Sequence, residues 1–358
     1  MRARRVLALA ASLSTAGLVV TTPVPATARP VEDPCVQQRG PIPVHALAAA
    51  TRSGCSLVGR LVVDGRVAVV VPPPGMSVSG DGLGVSGDVR GLTVTNTGRT
   101  VRAVRGAHGT AGGGWYLVPL SSTSTTTSTS PTTSPTTSPT TSPTSSTFGT
   151  VVSSRGGSPP ACKDRTFHLE HHKWKSALRY RVNLSKMPRR YHKSVVTRQI
   201  KIANQNMRRG RNTCGKPRLA TPASHYLGHT SNRPNIRAAG PTCGKPNSRN
   251  VVGFGNLPGG LLGWTCFWYY GSGRIAGADI LLDTGADMTT HLPKRCSSKW
   301  DFEGVVTHEW GHAYGLAHTG SGHAHLTMQH LLAPCSAYAR TLGLGDWLGM
   351  NKMYGHRH

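Results

Sequence analysis

Acidic residues are scarce in this 358-residue sequence. Asp and Glu together number 14 against 41 Lys and Arg, which gives a formal net charge of +27. So basic a chain attracts anionic partners, such as a wall polymer, a membrane surface, an acidic substrate or a nucleic acid. The sequence contains no zinc-finger, RRM or KH signature, so we expect no specific nucleic-acid partner.

Two further absences concern metals and membranes. No CxxC pair occurs, which argues against a cysteine-rich zinc site, and no long apolar run follows the N-terminus. The N-terminus has a basic start, a short apolar stretch from Val6 to Val20 and a small-x-small site at 26–28. This pattern predicts a signal peptide over 1–28 and a secreted, extracellular protein without a membrane span. An anchor that stays attached, or association with the cell surface, is the alternative.

The eight cysteines fit export, because disulfides persist outside the cell. Two cysteines precede a low-complexity stretch and six follow it. We therefore expect one disulfide in the first part and three in the second. The six later cysteines allow 15 pairings. We favour Cys296 with Cys335, which would tie down both ends of a histidine-rich region.

The low-complexity stretch divides the chain. Residues 121–147 are almost only Ser, Thr and Pro, which predicts a disordered linker over 121–160, either an O-glycosylated stalk or an unmodified spacer. Before it, 29–120 has short β-prone runs broken by Gly, Pro and Asp, typical of a small β-rich domain. That domain is an inhibitory pro-segment, a surface-binding module or a passive folding aid. After it, 161–358 forms a second domain.

Basic residues are concentrated at the start of the second domain. Seventeen lie between Lys163 and Arg218. Within this segment, Arg189 to Arg209 has the apolar spacing of an amphipathic helix with a basic outer face. A solvated helix face is the simplest interpretation. Binding of an anionic surface or wall polymer through 163–218 is the alternative, and a nucleic-acid binder is a weaker one.

Near the C-terminus the sequence reads THEWGHAYGLAHTG. His308 and His312 are four residues apart, so on a helix they share one face and can bind one ion. Gly315 can end that helix and allow His318 to return as a third ligand. Glu309 then lies beside the metal without being a ligand. Three imidazoles and one open position are typical of a catalytic zinc site. A capping box from Ser298 is expected to begin the helix.

This run resembles the zinc-binding signature of the metzincin metalloendopeptidases, in their matrixin-like, bacterial secreted form. Met328, ten residues after His318, matches the methionine that metzincins carry in a turn beneath the metal. The tail Ala339–Gly355 is similar to the closing helix of matrixin-like domains, and Ile275–Leu282 to a strand before the active-site helix. The resemblance covers 161–358.

The resemblance implies an α+β, zincin-like fold with a twisted mixed sheet and an active-site helix. It implies one catalytic zinc ion and a secreted endopeptidase that hydrolyses polypeptides through a zinc-activated water. Glu309 would be the general base and Met328 a structural floor. The zinc ligands would be His308, His312 and His318.

The substrate would bind by strand addition if Ile275–Leu282 is the edge strand of the sheet. The pocket for the side chain after the cut would be formed around Leu332 to Tyr338. An exported wall- or surface-binding protein with a structural or degenerate zinc site is the alternative function.

Several residues have open roles. Three aspartates, Asp279, Asp283 and Asp287, suit calcium, although their spacing matches no calcium loop. Cys243 lies in PTCGKPN, which resembles the matrixin cysteine switch, but we expect a disulfide there instead. His330 is either an extra metal ligand or a solvent-facing residue.

Overall fold

A computed structural model describes Cys35 and residues 40–86, 91–106 and 160–357. The predicted signal peptide and nearly all of the predicted linker lie outside the described residues. Within the described ranges, no helix is long and apolar enough to cross a membrane. By their contacts, Arg39–His358 belong to one unit.

Short strands predominate, with four α-helices among the described residues. The strands are β1 (Ile42–Pro43), β2 (Leu61–Asp64), β3 (Val67–Val70), β4 (Met76–Asp81), β5 (Leu92–Asn96), β6 (Val101–Arg105), β7 (His168–Leu169), β8 (Leu178–Val182), β9 (Ser224–His229), β10 (Ile236–Arg237), β11 (Thr242–Cys243), β12 (Val251–Gly255), β13 (Gly263–Tyr270), β14 (Ile275–Asp283), β15 (Met288–Thr289), β16 (Trp300–Asp301) and β17 (Leu316–Ala317). The helices are α1 (Leu47–Arg52), α2 (Lys193–Arg209), α3 (Phe302–Tyr314) and α4 (Leu344–Tyr354), with 3-10 turns at Val44–Ala46 and Tyr338–Arg340.

An eight-stranded sheet supports the candidate site. Its strand order is β6-β5-β4-β13-β14-β12-β8-β9. The strands β14, β12, β8 and β9 run parallel to their neighbours in that series. β13 runs antiparallel to both β14 and β4. A mixed sheet combined with helices is compatible with the predicted α+β class.

Ile275–Leu282 is not an edge strand, so the condition for substrate addition to it is not met. β14 pairs with β13 on one side and β12 on the other. Its nearly continuous apolar run is the signature of an interior strand. The other side of β13 pairs with β4, from the N-terminal part of the chain. In this pairing Thr265 lies opposite Asp81 and Tyr270 lies opposite Met76.

Side chains of β13 alternate between two hydrophobic cores, because successive residues of a strand point to opposite faces. Phe267 belongs to the core that contains buried residues of α2, α3 and α4. Trp264 and Trp268 belong to a second core, formed with the N-terminal strands. Strands from the predicted 29–120 and 161–358 domains thus share one sheet and one core.

The predicted amphipathic helix is α2, and it ends at Gly210 in the left-handed conformation (φ 66°). Its contacts with α3 put apolar side chains on the inner face. Buried apolar residues of α2 are Val196, Ile200, Ala203 and Met207.

The disulfides follow the expected distribution. Bonds join Cys162 to Cys214, Cys243 to Cys266, and Cys296 to Cys335. Cys35 and Cys55 are disulfide-bonded as well. The favoured Cys296–Cys335 pairing is confirmed. Cys243 is in a disulfide as expected, so its thiol does not act as a cysteine switch.

Candidate metal centre

Helix α3 carries two of the three histidines, and local sequence sets its two ends. Asp301 is the N-cap, since its carboxylate accepts a 2.8 Å hydrogen bond from the N–H of Gly304. The expected cap at Ser298 is therefore wrong. The Arg340 guanidinium donates to both carboxylate oxygens of Asp301 and compensates the buried charge. The helix ends at Gly315 (φ 107°), as predicted.

His308, His312 and His318 converge on one point. The Nε2 atom of His308 lies 3.0 Å from that of His312 and 3.1 Å from that of His318. The Nε2 atoms of His312 and His318 are also 3.1 Å apart. All three side chains are buried. In the part of the chain that the structure describes, this is the one cluster able to hold a metal ion.

Backbone carbonyls fix the tautomers of two of the rings. Nδ1 of His308 lies 2.7 Å from the carbonyl oxygen of Thr327, and Nδ1 of His312 lies 3.0 Å from that of Leu316. A carbonyl oxygen only accepts, so each Nδ1 carries the hydrogen and each Nε2 presents a lone pair. Burial lowers the pKa of His312 to about 3 and that of His308 well below its usual value. These two rings are therefore neutral, as metal binding requires.

The three nitrogens fit a transition-metal ion. Lone pairs that face one another in a buried site repel unless a cation lies between them. Zinc–nitrogen bonds of about 2.0–2.1 Å place two nitrogens of a tetrahedral site about 3.4 Å apart. The observed separations of 3.0–3.1 Å are close to that value. Imidazole donors suit zinc and several neighbouring metals.

Glu309 is held between the helix and the sheet. Its Oε2 accepts a 2.6 Å hydrogen bond from the hydroxyl of Thr265, and its Oε1 accepts a 3.1 Å bond from the N–H of Leu83. A β-carbon on Gly263 would lie 2.5 Å from Oε1, so only glycine allows this approach. Burial raises the pKa of Glu309 to about 8. The carboxyl group can therefore exchange a proton near neutral pH.

Met328 lies against the middle of α3. A β-carbon on Gly311 would overlap its Sδ atom. Asp346 fixes the turn, because its carboxylate accepts from the N–H of Met328 at 3.1 Å and from that of Thr327 at 2.7 Å. The carbonyl of Thr327 in turn holds the His308 ring. The turn thus supports both the helix and one candidate ligand.

Sequence reasoning missed Asp346 and Thr265. Asp346 is fully buried on α4 and also accepts from the N–H of Gly343 at 2.9 Å. Its burial raises its pKa to about 6. A signal was present, because Asp346 is an isolated acid within the apolar tail LGLGDWLGM. Thr265 lies in the apolar run GWTCFWYY, and no pattern marks it as the partner of Glu309.

A third missed residue, Asp81, comes from the N-terminal part. Its Oδ1 lies 3.4 Å from Nδ1 of His318, and both side chains are buried. Burial raises the pKa of Asp81 well above its usual range, and the carboxyl groups of Glu170 and Glu309 add to the effect. A carboxyl oxygen behind a ligand histidine faces the Nδ1 side of the ring and helps to orient it.

The segment after Asp81 lies between two stretches of the later chain. It is antiparallel to residues around Leu261 and parallel to residues around Leu331. Four backbone hydrogen bonds hold it: Leu262 N–H to Leu83 O (2.8 Å), Val85 N–H to Gly260 O (2.8 Å), Gly84 N–H to His330 O (3.0 Å) and Leu332 N–H to Gly84 O (3.0 Å).

The expectation of a solvent-facing His330 is wrong, because the ring is buried beside the histidine cluster, although it is not one of the three residues grouped as able to hold an ion. His330 is 9% exposed, and its ring centroid lies 6.1 Å from that of His318. Asp279 and Asp283 accept backbone N–H groups, while Asp287 forms an ion pair with Lys299. Among the described residues these aspartates form no metal cluster.

Two comparisons with known proteins give no match. No family model matches the chain, and no curated protein matches it either.

Proposed function

We propose that this protein is a secreted, zinc-dependent endopeptidase of the metzincin type. The observation that carries the proposal is the convergence of three buried imidazoles next to a buried carboxyl group. The ligands would be His308, His312 and His318, and the general base would be Glu309. Polypeptides are the substrate class.

Each residue has a separate task in this proposal. Bound zinc would supply Lewis-acid chemistry, polarising a carbonyl group and making water more acidic. Glu309 would accept a proton from water and deliver it to the leaving amine. Thr265 holds Oε2 of Glu309, which fixes the orientation of the carboxylate. Met328 and Asp346 would position the ligands without touching the substrate.

Architecture and covalent chemistry support the proposal. A mixed sheet, a helix with two histidines and a methionine turn below it are the parts that the metzincin resemblance implies. Disulfides involving all eight cysteines fit an oxidising, extracellular compartment. Within the described residues, no helix could span a membrane.

A basic groove supports the further proposal of an anionic polymer as partner. The groove, of about 710 Å³, lies between the C-terminal half of α2 and the segment that follows it. No acidic residue lines it. The nearby charges of Arg209 and Arg357 lower the pKa of Arg218, as expected where cations are crowded. Its basic lining residues are Arg198, Lys201, Arg209, Arg211, Lys216 and Arg218.

An exported binding protein with a structural or degenerate metal site is the second candidate. The N-terminal segment favours this second candidate, because the N–H of Leu83 already donates a hydrogen bond to Oε1 of Glu309. In such a protein the metal would hold the fold together, and Glu309 would only accept hydrogen bonds.

One substitution separates the two candidates. Glu309→Gln in the full zinc-loaded chain should reduce casein hydrolysis by about 10² or more and leave one zinc per chain. The control is Glu303→Gln on the same helix, where the side chain accepts from Asn206 instead. Hydrolysis is followed over hours, and zinc is measured by elemental analysis. The comparison is repeated with Leu83→Asp added to each chain, because the N–H of Leu83 donates to Glu309 in the natural chain. If Glu309→Gln and Glu303→Gln still hydrolyse casein equally, the peptidase proposal fails.

A further inference from the structure

The N-terminal segment Met76–Val85 follows the path of an added strand along the candidate site. Its first six residues pair antiparallel with β13. Its last residues pair with the stretch around Leu261 on one side and around Leu331 on the other. Backbone pairing of this kind is how extended peptides bind to a sheet edge, independently of their sequence.

Leu83 anchors this segment. Its side chain is 1% exposed and belongs to the core that includes Leu332. Tyr338 packs against the same core. These two residues bound the stretch expected from the sequence to form the side-chain pocket. The N–H of Leu332 donates to the carbonyl oxygen of Gly84 at 3.0 Å, so Leu83 lies beside the start of that stretch. A buried leucine at this place would take apolar space that a substrate side chain could use.

The backbone of Leu83 gives the segment its register. The N–H of Leu83 donates to Glu309, the residue proposed to protonate the leaving amine. The residue whose nitrogen lies at Glu309 is the residue after the cut. Leu83 thus takes the place of the first residue of the leaving peptide.

We propose that Met76–Val85 is an internal inhibitor that occupies the peptide groove in the manner of a substrate, with Leu83 in the pocket for the residue after the cut. This inference rests on the proposed peptidase function. Two consequences follow. The chain is latent while the segment is bound, and the preferred substrates carry a leucine-sized apolar residue after the cut.

Two substitutions in the full chain release the segment by different means. Leu83→Asp places a charge in an apolar core, which is strongly unfavourable. Gly82→Val adds a β-carbon that would overlap the carbonyl oxygen of Gly263 and approach the ring of Trp264 to 2.8 Å. The controls are Leu83→Met, which keeps an apolar side chain, and Gly40→Val, where a β-carbon meets nothing within 4 Å.

The first readout does not depend on catalysis. A short peptide hydroxamate with a leucine side chain is titrated into each zinc-loaded chain by calorimetry. Release of the segment opens the peptide groove, so most molecules are then able to bind the hydroxamate. Leu83→Asp and Gly82→Val should therefore bind the hydroxamate about tenfold or more tightly than the natural chain does. Leu83→Met and Gly40→Val should bind like the natural chain. Circular dichroism checks the fold.

Hydrogen exchange gives the second readout, in the metal-free chain. Backbone amides of β13 that pair with β4 should exchange faster in the two released variants. The inference is overturned if the natural chain, the two released variants and the two controls all bind the hydroxamate with equal affinity. This holds whatever the exchange rates of the β13 amides. Tighter hydroxamate binding without any casein hydrolysis supports the internal inhibitor and removes the peptidase proposal.

Discussion

Gly311 and Met328 are packed so closely that a β-carbon on Gly311 would overlap Sδ of Met328. The glycine lies on α3 between His308 and His312, and the methionine lies in the turn held by Asp346. The contact therefore sets the distance between α3, which carries two candidate ligands, and the Met328 turn. That turn orients His308 through the carbonyl of Thr327.

Gly311→Ala should separate these two elements. Overpacking of a buried contact costs about 1–3 kcal/mol of unfolding free energy. The shift should also weaken metal binding, because the Thr327 carbonyl would move relative to His308. Urea unfolding and zinc competition titrations measure the two effects. In a double variant with Met328→Ala, part of the loss should be recovered. Strictly additive losses would contradict the packing argument.

Metal binding should depend on each convergent histidine. His312→Ala or His318→Ala should remove the single bound zinc found by elemental analysis. At a zinc concentration 100 times its Kd, the natural chain should gain about 2.7 kcal/mol of stability, and these variants should gain much less. His225 is exposed on β9, so His225→Ala is the control and should bind zinc normally. An equal zinc-dependent shift in all variants would place the metal elsewhere.

Asp279 should make stability depend on pH. It is buried on β14, and burial raises its pKa to about 7. The folded state then holds the proton more tightly than the unfolded chain. Its stabilising contribution is therefore complete at low pH and is lost as the pH rises from about 4 to about 7, by up to about 1.4 kcal/mol per pH unit.

Denaturant unfolding across this pH range tests the effect. Asp279→Asn should remove that part of the slope, whatever its effect on absolute stability. Asp287→Asn is the control, since Asp287 is exposed and pairs with Lys299. Parallel stability curves for the natural chain and Asp279→Asn would refute the assignment.

Local features of the site could be predicted from the sequence, because spacing along a helix determines them. The four-residue spacing of His308 and His312, with Gly315 after them, is sufficient to predict α3, its end and the convergence of two rings. Pairing between distant strands could not be predicted in this way. β14 is interior because β13 and β4 lie beyond it, and nothing in Ile275–Leu282 encodes the partner of its neighbour.

The scarcity of acidic residues is itself a signal that could have revealed more of the site. Eight of the 11 acidic residues that the structure describes are buried: Asp81, Asp164, Asp279, Asp283, Asp301, Glu303, Glu309 and Asp346. Burial of a carboxyl group is costly unless it is hydrogen-bonded. Asp301 caps α3, Asp346 holds the methionine turn and Asp279 accepts two backbone N–H groups. In so basic a chain, a lone acid within an apolar run indicates a structural or chemical task.

Most charged residues at the surface of the described part of the chain are basic, and several of them line the basic groove. A triple variant with Arg209, Lys216 and Arg218 changed to Gln should bind inorganic polyphosphate more weakly. It should also show a plot of log affinity against log salt that is shallower by about 2. Fluorescence titration at several salt concentrations measures both quantities.

A second triple variant tests whether polyphosphate responds to the groove or only to the net charge of the protein. A control variant with Lys175, Lys294 and Arg295 changed to Gln has the same net charge, and all three positions are exposed and outside the groove. We expect the control to retain nearly the affinity of the natural chain, because a groove presents several cations to one polymer segment at once. Equal weakening in both triple variants would mean that the polymer responds to net charge and that the groove has no specific role.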